Sequence, residues 1–579
     1  MMDALIDESI PTLAKAIAAV GIEDSNWTSM IGRSRESNLA DISLPCFAFS
    51  KQLGQSPDTV AQSIVNAVDV ESNSAMGEVI ASGGYVNIRA SISWLANRLL
   101  SPEAITNSEH IMIEHTSANP NGPFHVGRAR NAILGDTFVR MYRAAGKKVT
   151  AEYYVDDMGK QVGILCWAIE NLSETQVNQI LESNDLLEES SQHSQKADHQ
   201  RVKWYQAANA LKTEDSSIDE GVTTLVQLSE EADEDVLNRF DAAYQPVLDG
   251  MLETLGRMGI TFDSFTKESA FIIDGSVEVL MNALEKSELH GTAENGAHFL
   301  ELESKGIKGK STKFYYRRGD GSSLYATRDL AYHQWKWTQA EQLMNILGED
   351  HKLQSRQVSI ALDELNIPSP DVVFYAFTKL ADGKMSTRRG NVVYMDDLLD
   401  EAQIRAQQVV NEIRSDLDES TIHEISEAVG VSATRFNIAR ISPEKGITFR
   451  WEDALSLDKD SAPFIMYSHA RACSISRRAG HQSLPTSIQV DELSPTAIEL
   501  IRRMAKMQNE LNNAIKLSRP NLFCDWLSGM AADYNRFYRE NHVITDDGIN
   551  VQNLLLNELS RDHLRRGCEA VGIIPLEEM

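Results

Sequence analysis

The stretch His110-Ile-Met-Ile-Glu114, then Ser117-Ala-Asn-Pro-Asn-Gly-Pro123, then His125-Val126-Gly127-Arg128, decides how this chain folds. The first five residues read as a short apolar strand. Two prolines, two asparagines and a glycine then break it. A helix is expected from about His125 to Ala145, because Ala129, Ile133, Thr137 (through its methyl), Phe138 and Met141 recur at spacings of three and four. Gly146 suits the position that ends such a helix. Val149 to Val155 reads as a second strand. Strand, crossover helix and strand imply a right-handed parallel unit. Ligands gather at the carboxyl ends of such strands. The helix start offers free N–H groups and positive dipole to an anion. Gly127 lets a ligand come close to the backbone, and His125 can donate a hydrogen bond to a phosphate oxygen.

Working outward, residues 1 to about 100 read as a small α+β unit. Ala61 to Ala67 is helical in pattern, and Gly83 to Ile88 reads as a turn entering a strand. Residues 170 to 235 are polar and acidic and carry no clear fold signal. They are expected to be part of an insertion with a mobile surface. Residues 310 to 395 return to strand and loop patterning, with Phe314-Tyr315-Tyr316, Met344-Asn-Ile-Leu347 and Val372-Val-Phe-Tyr375. Beyond about 400 the pattern is helical. Leu500, Met504, Met507, Leu511 and Ile515 share one face, as do Leu527, Met530, Tyr534 and Tyr538.

A chain of 579 residues is too long for one core. Its 42% hydrophobic and 24% charged residues suit a soluble globular protein. No run of about 18 apolar residues suggests a membrane helix. Asp3, Asp7 and Glu8 argue against a secretory leader. Five scattered cysteines include no C-x-x-C pair, so neither a disulfide framework nor a structural metal is expected, and a reducing cytoplasm fits. The net charge of −29 argues against a general nucleic-acid binder. Any RNA contact would need local basic stripes, for which Arg317-Arg318, Arg388-Arg389, Arg477-Arg478, Arg502-Arg503 and Arg565-Arg566 are the candidates.

A second loop, Lys384-Met385-Ser386-Thr387-Arg388-Arg389-Gly390-Asn391, follows the turn Asp382-Gly383. One flexible ammonium and two planar guanidinium forks suit a polyanion. The first motif resembles the H-I-G-H signature of class I aminoacyl-tRNA synthetases and the second their K-M-S-K-S signature. They stand in the family's order, about 250 residues apart. Glu114 to Asp136, Tyr153 to Gln161, Leu324 to Asp329 and Tyr467 to Arg471 resemble the arginyl family in particular, and the likeness covers nearly the whole chain.

That resemblance implies an α/β fold: a Rossmann-like catalytic domain over 101–400, with an insertion at about 165–310. A small N-terminal tRNA-contacting α+β domain would span 1–100, and an all-helical anticodon-binding domain 401–579. It implies arginine–tRNA ligase activity with ATP and Mg²⁺, on L-arginine and tRNA(Arg), by a monomer. His125 and Lys384 would contact phosphates, with Arg128 as a third catalytic candidate. Gly127, Gly348, Asp350, His351, Met385, Ser386 and Arg388 would lie around the nucleotide. Tyr325 and Asp329 would face the guanidinium, which needs acceptors because it carries only donors. Glu114, Ser117 and Asn119, with His125, would hold the rest of the amino acid. Tyr85 and Asn87 would read the tRNA elbow by stacking and edge bonding, and Arg471, Tyr534 and Arg536 the anticodon stem-loop. Two positions depart from the signatures: Arg128 stands for the second His, and Thr387 for the second Lys. A class I enzyme for another amino acid would lack the Tyr325/Asp329 pair. A non-catalytic relative would be expected to lose His125 or Lys384.

Overall fold

The computed structural model describes residues 2–23, 26–34, 39–101, 108–186, 192–212, 217–309, 312–380, 393–414, 416–458 and 460–579. At its centre lies a five-stranded parallel sheet. Its strands are β1 (His110–Glu114), β2 (Lys148–Val155), β3 (Ser264–Lys267), β4 (Gln342–Gly348) and β5 (Asp371–Tyr375), in the order β5-β4-β1-β2-β3. Every neighbouring pair is parallel. The order reverses between β1 and β4, and in open parallel sheets a crevice opens at such a switch point beyond the strand carboxyl ends.

The crossover helix α1 (Val126–Ala144) starts one residue after the sequence pattern suggests, with His125 as its extended N-cap. Ala129, Ile133, Phe138 and Met141 are all buried, as their spacing requires. The helix is covered on more than that face, because the sheet lies on one side and the C-terminal helices on the other. Two fully buried arginines tie these layers together. Arg130 donates to the carbonyls of Ala376, Ser442 and Lys445. Arg435 pairs with Asp136 of α1 and donates to the Met258 carbonyl. Breaking such a pair from one side strands a buried charge, at about 3–5 kcal/mol.

The N-terminal unit has a four-stranded sheet flanked by helices Met2–Ala19 and Pro57–Ala67. The second of these is longer than its apolar face alone indicates. Ser56 caps it by accepting from the Thr59 N–H, and Pro57 occupies its first turn. Strands His290–Thr292, His298–Glu301 and Lys313–Arg317 form a three-stranded antiparallel sheet. Helices Glu419–Ala439, Ala462–Ala479, Pro520–Glu540 and Val551–Val571 dominate the C-terminal part.

The reading of 170–235 as a segment without fold signal is corrected where residues are described. Helices Glu174–Ser183, α2 (Ala197–Leu211), Ser217–Glu230 and α3 (Glu234–Arg257) are packed together. Few apolar residues suffice: Val177 and Leu181, and Ile218, Val222 and Leu225, fall on one face each and are buried. The polar majority is simply the outer face.

Three of the basic pairs are not open stripes, whereas Arg477 and Arg478 are both exposed, Arg477 donating to the Glu577 carbonyl. Arg317 pairs with Glu278 and Glu285, Arg318 with Glu230, Arg502 with Asp41, Arg503 with Asp533, and Arg565 with Asp562 and Glu569. Arg388-Arg389 lies outside the described residues. All five cysteines are buried free thiols. No described helix is long and apolar enough to cross a membrane.

Candidate active site

The turn from β1 into α1 is strained and over-determined. Thr116 and Ser117 have φ of 68° and 37°, a region that residues other than glycine rarely occupy. Several polar groups of the turn have partners. Thr116 donates its N–H to Asn131 Oδ1 at 2.7 Å, and its hydroxyl meets His115 Nδ1 at 2.9 Å. The Ser117 hydroxyl accepts from the Tyr154 N–H at 3.1 Å. Tyr153 donates to the Ala118 carbonyl at 2.8 Å. Asn119 and Asn121 both donate to Gln161 Oε1, at 3.0 and 2.9 Å. Ser117 and Asn119, read from sequence as substrate contacts, thus also hold the loop.

A cavity of about 1070 Å³ opens above the strand ends. Its wall includes Glu114, Ser117, Asn119, His125, Gly127, Arg128, Tyr325, Asp329, Gly348, Asp350 and His351. Every catalytic, nucleotide or arginine candidate within the described residues is there. Lys384, Met385, Ser386 and Arg388 lie outside the described residues.

Burial, and then the charge of Arg128, pull the His125 imidazole down to about 4. It is therefore neutral at pH 7 and can donate one N–H. A side chain at Gly127 would press on the His125 ring, its Cβ 3.0 Å from Nδ1. Arg128 donates to the Asn119 carbonyl at 3.4 Å, and no described carboxylate lies within ion-pair reach of it. Its charge is left over for an anion in the cavity. Asp350 and His351 form a loose, half-exposed pair 3.6 Å apart.

On the other wall, helix α4 (Tyr325–Gln339) places Tyr325 and Asp329 on one face, four residues apart. Tyr325 is exposed toward the cavity mouth. Asp329 does not pair with its neighbour Arg328, which binds Glu268 instead. Its carboxylate lies 3.3 Å from His333 Nδ1. Burial opposes its ionisation, but His333 and Lys336 outweigh that and hold its pKa below the usual range. Glu114 receives the buried Lys336 ammonium at 2.6 Å. Sequence reading missed Lys336, His333, Asn131 and Gln161. The spacing of 329, 333 and 336 on one helix face was the available signal for the first two.

The main chain joins this turn to the segment after residue 392. Val126 donates to the Val393 carbonyl at 3.0 Å, and Met395 to the Phe124 carbonyl at 2.8 Å. Helix α5 (Met395–Ile413) begins there, and its Asp396 is clamped by Lys196, His199 and Thr254. Asp198, His199 and Asp396 are close enough to share a cation. The Lys196 ammonium already sits 3.3 Å from Asp198 and 2.9 Å from Asp396.

Residues 92–445 match the catalytic domain of class I (R) tRNA synthetases, residues 8–90 the arginyl tRNA synthetase N-terminal domain, and residues 465–579 the DALR anticodon-binding domain. The chain belongs to the arginyl-tRNA synthetase family. Relatives described as arginine–tRNA ligases include that of Methanocella arvoryzae, 36% identical over 99% of each chain. That of Archaeoglobus fulgidus is 36% identical over 94% of this chain and 96% of its own. The Thermus thermophilus arginyl-tRNA synthetase shares the fold with a TM-score of 0.78, at 24% identity and full coverage of both chains. Like other arginyl-tRNA synthetases the chain is an aminoacyl-tRNA ligase, and its class uses ATP.

Two of the RNA candidates are corrected. Tyr534 is fully buried and donates to Asn557 at 2.8 Å. Asn87 is buried within the N-terminal sheet, its Oδ1 accepting from Ser43 at 2.8 Å and its amide reaching the Ser82 and Tyr85 carbonyls. Neither can reach a base. Tyr85 is half-buried, edge-on to the exposed Phe47. Arg471 is stacked between Tyr467 and Tyr538, 4.7 Å from each ring. Arg536 is exposed and pairs with Asp533.

Proposed function

We propose that this enzyme forms arginyl-adenylate in the cavity above β1 and β4 and passes arginine to the 3′ end of tRNA(Arg). The observation that carries the reading is the cavity itself. Its wall holds an anion-seeking side, His125 and Arg128, which has no carboxylate partner among the described residues, and an acid side, Glu114 and Asp329. Residues about 200 positions apart in the chain meet there.

Arginine lies with its guanidinium toward Asp329 and Tyr325, and Glu114, Ser117 and Asn119 hold its backbone end. The carboxylate oxygen attacks the α-phosphorus of ATP in line. The bond to the bridging oxygen breaks, and pyrophosphate leaves with the electron pair. Little covalent work falls to the protein, so positioning and charge stabilisation dominate. His125 donates from a neutral ring, and Arg128 adds a fixed charge. Gly127, Gly348, Asp350 and His351 border the nucleotide. Lys384, with Met385, Ser386 and Arg388, supplies the second phosphate contact. Mg²⁺ arrives on ATP as part of the substrate and neutralises its phosphate charge.

Tyr85, Arg471 and Arg536 are the remaining contacts for tRNA, stacking and pairing at two separate faces. The enzyme works as a monomer in the cytoplasm and activates arginine only with tRNA bound. The test is charging of total tRNA with labelled arginine, with Lys384→Ala as the inactive control. Pyrophosphate exchange across the twenty amino acids accompanies it. A response to another amino acid overturns the arginine reading, and strong exchange without tRNA overturns the tRNA requirement.

A further inference from the structure

The two carboxylates assigned to arginine are not independent. Lys336 is buried, 1% exposed, and donates to Glu114 Oε2 at 2.6 Å and to Asn345 Oδ1 at 3.0 Å. Its ammonium also lies over the Tyr332 ring, 4.2 Å from the centroid. Because Asn345 Oδ1 accepts from Lys336, its amide nitrogen faces His333 Nε2, 3.2 Å away, and donates to it. The opposite ring nitrogen then carries the proton. His333 Nδ1 donates to the Asp329 carbonyl at 2.7 Å and lies 3.3 Å from the Asp329 carboxylate. The result is an unbroken chain: Glu114, Lys336, Asn345, His333, Asp329. Its inner members, Lys336, Asn345 and His333, are at most 5% exposed.

We propose that Lys336 is the positioning residue of the amino-acid site, and that through Asn345 and His333 it sets both carboxylates that receive arginine. This rests on the assignment of Glu114 and Asp329 to arginine.

Glu114 lies directly opposite the fully buried Glu152 in the sheet register. The Lys336 ammonium on Oε2 is what holds the Glu114 carboxylate in place beside that second acid, at the cavity wall.

The test is steady-state kinetics of tRNA-dependent pyrophosphate exchange on the full chain. Lys336→Met should raise the arginine KM by about tenfold while the ATP KM stays within about twofold. Glu114→Gln removes one of the two carboxylates that Lys336 serves, so the double variant Glu114→Gln/Lys336→Met should raise the arginine KM above that of Glu114→Gln alone, but by less than the product of the two single effects. Asn345→Ala keeps the Lys336–Glu114 pair and removes the amide that bridges Lys336 to His333. It should raise the arginine KM by about threefold, and it serves as the readout if Lys336→Met does not fold. Equal changes in both KM values, unchanged kinetics, or additive effects in the double variant would overturn the proposal. Failure of the underlying site reading looks different: Glu114→Gln and Asp329→Ala would then leave the arginine KM untouched.

Discussion

The turn at residues 114–131 and the faces assigned to RNA were read from the same kind of sequence signal, yet they fared differently. In the turn, each candidate borders the cavity, because one backbone path fixes them all. The parallel sheet, its switch point and the helix start leave a side chain there little choice of direction. On the RNA faces, Tyr534 and Asn87 are buried while Arg536 is exposed. Residue type and order do not say which side of a helix or sheet looks outward. A motif on a turn therefore fixes which cavity its side chains border, whereas a motif on a helix fixes only a set of residues.

Substitutions can break or sharpen this contrast. The largest effect is expected at the turn. His125→Ala should lower kcat for arginine activation by about 10²–10³-fold with intact folding, as loss of a preorganised donor does. A loss below about fivefold would mean that the ring serves the turn and not the phosphates.

His115, buried behind the turn, offers a stability readout. Burial holds its pKa at about 4 against an ordinary 6.5, the largest of several causes, with Asp136 opposing and Arg435 and Arg143 assisting. The unfolded imidazole therefore binds its proton at higher pH than the folded one. Stability falls as pH drops from 6.5 toward 4, by about 3 kcal/mol from this group. Denaturant melts across that window should show the wild type losing about this much more stability than His115→Gln. Equal losses would place the ring in solvent.

Asp329→Ala should raise the arginine KM by about 50-fold and leave the ATP KM nearly unchanged. The smallest effects belong to the helical face. Arg471→Ala should raise the tRNA KM by about fivefold, through lost stacking between two tyrosines. Tyr534→Phe should leave that KM alone and lower stability by about 1 kcal/mol, the worth of its hydrogen bond to Asn557. A tRNA effect of Tyr534→Phe equal to that of Arg471→Ala would erase the distinction between the two regions.

Much of the catalytic core was legible. A five-residue strand, a breaker cluster and a helix with apolar spacing suffice to predict a parallel unit, and the cavity sits where that unit requires. The segment 170–235 was not legible, because its helices need only two or three apolar positions each and its charged face dominates the composition. Lys336 escaped because a lone lysine among aromatic residues of a helix reads as solvent-facing. Its burial depends on Glu114 and Asn345, which come from other strands. The arginine pairs were harder to read, since Arg318, Arg503 and Arg565 are paired with Glu230, Asp533 and Asp562, which sequence order does not bring beside them, while Arg477 and Arg478 are exposed.

The two main-chain hydrogen bonds between residues 124–126 and 393–395 give the molecule a particular mechanical property. Points about 270 residues apart in sequence share one rigid seam. A push from the insertion helices, delivered by the side chains that clamp Asp396, passes at Met395 into the main chain and so on to His125. Only a residue lacking an N–H, a proline at 126 or 395, would unstitch the seam itself.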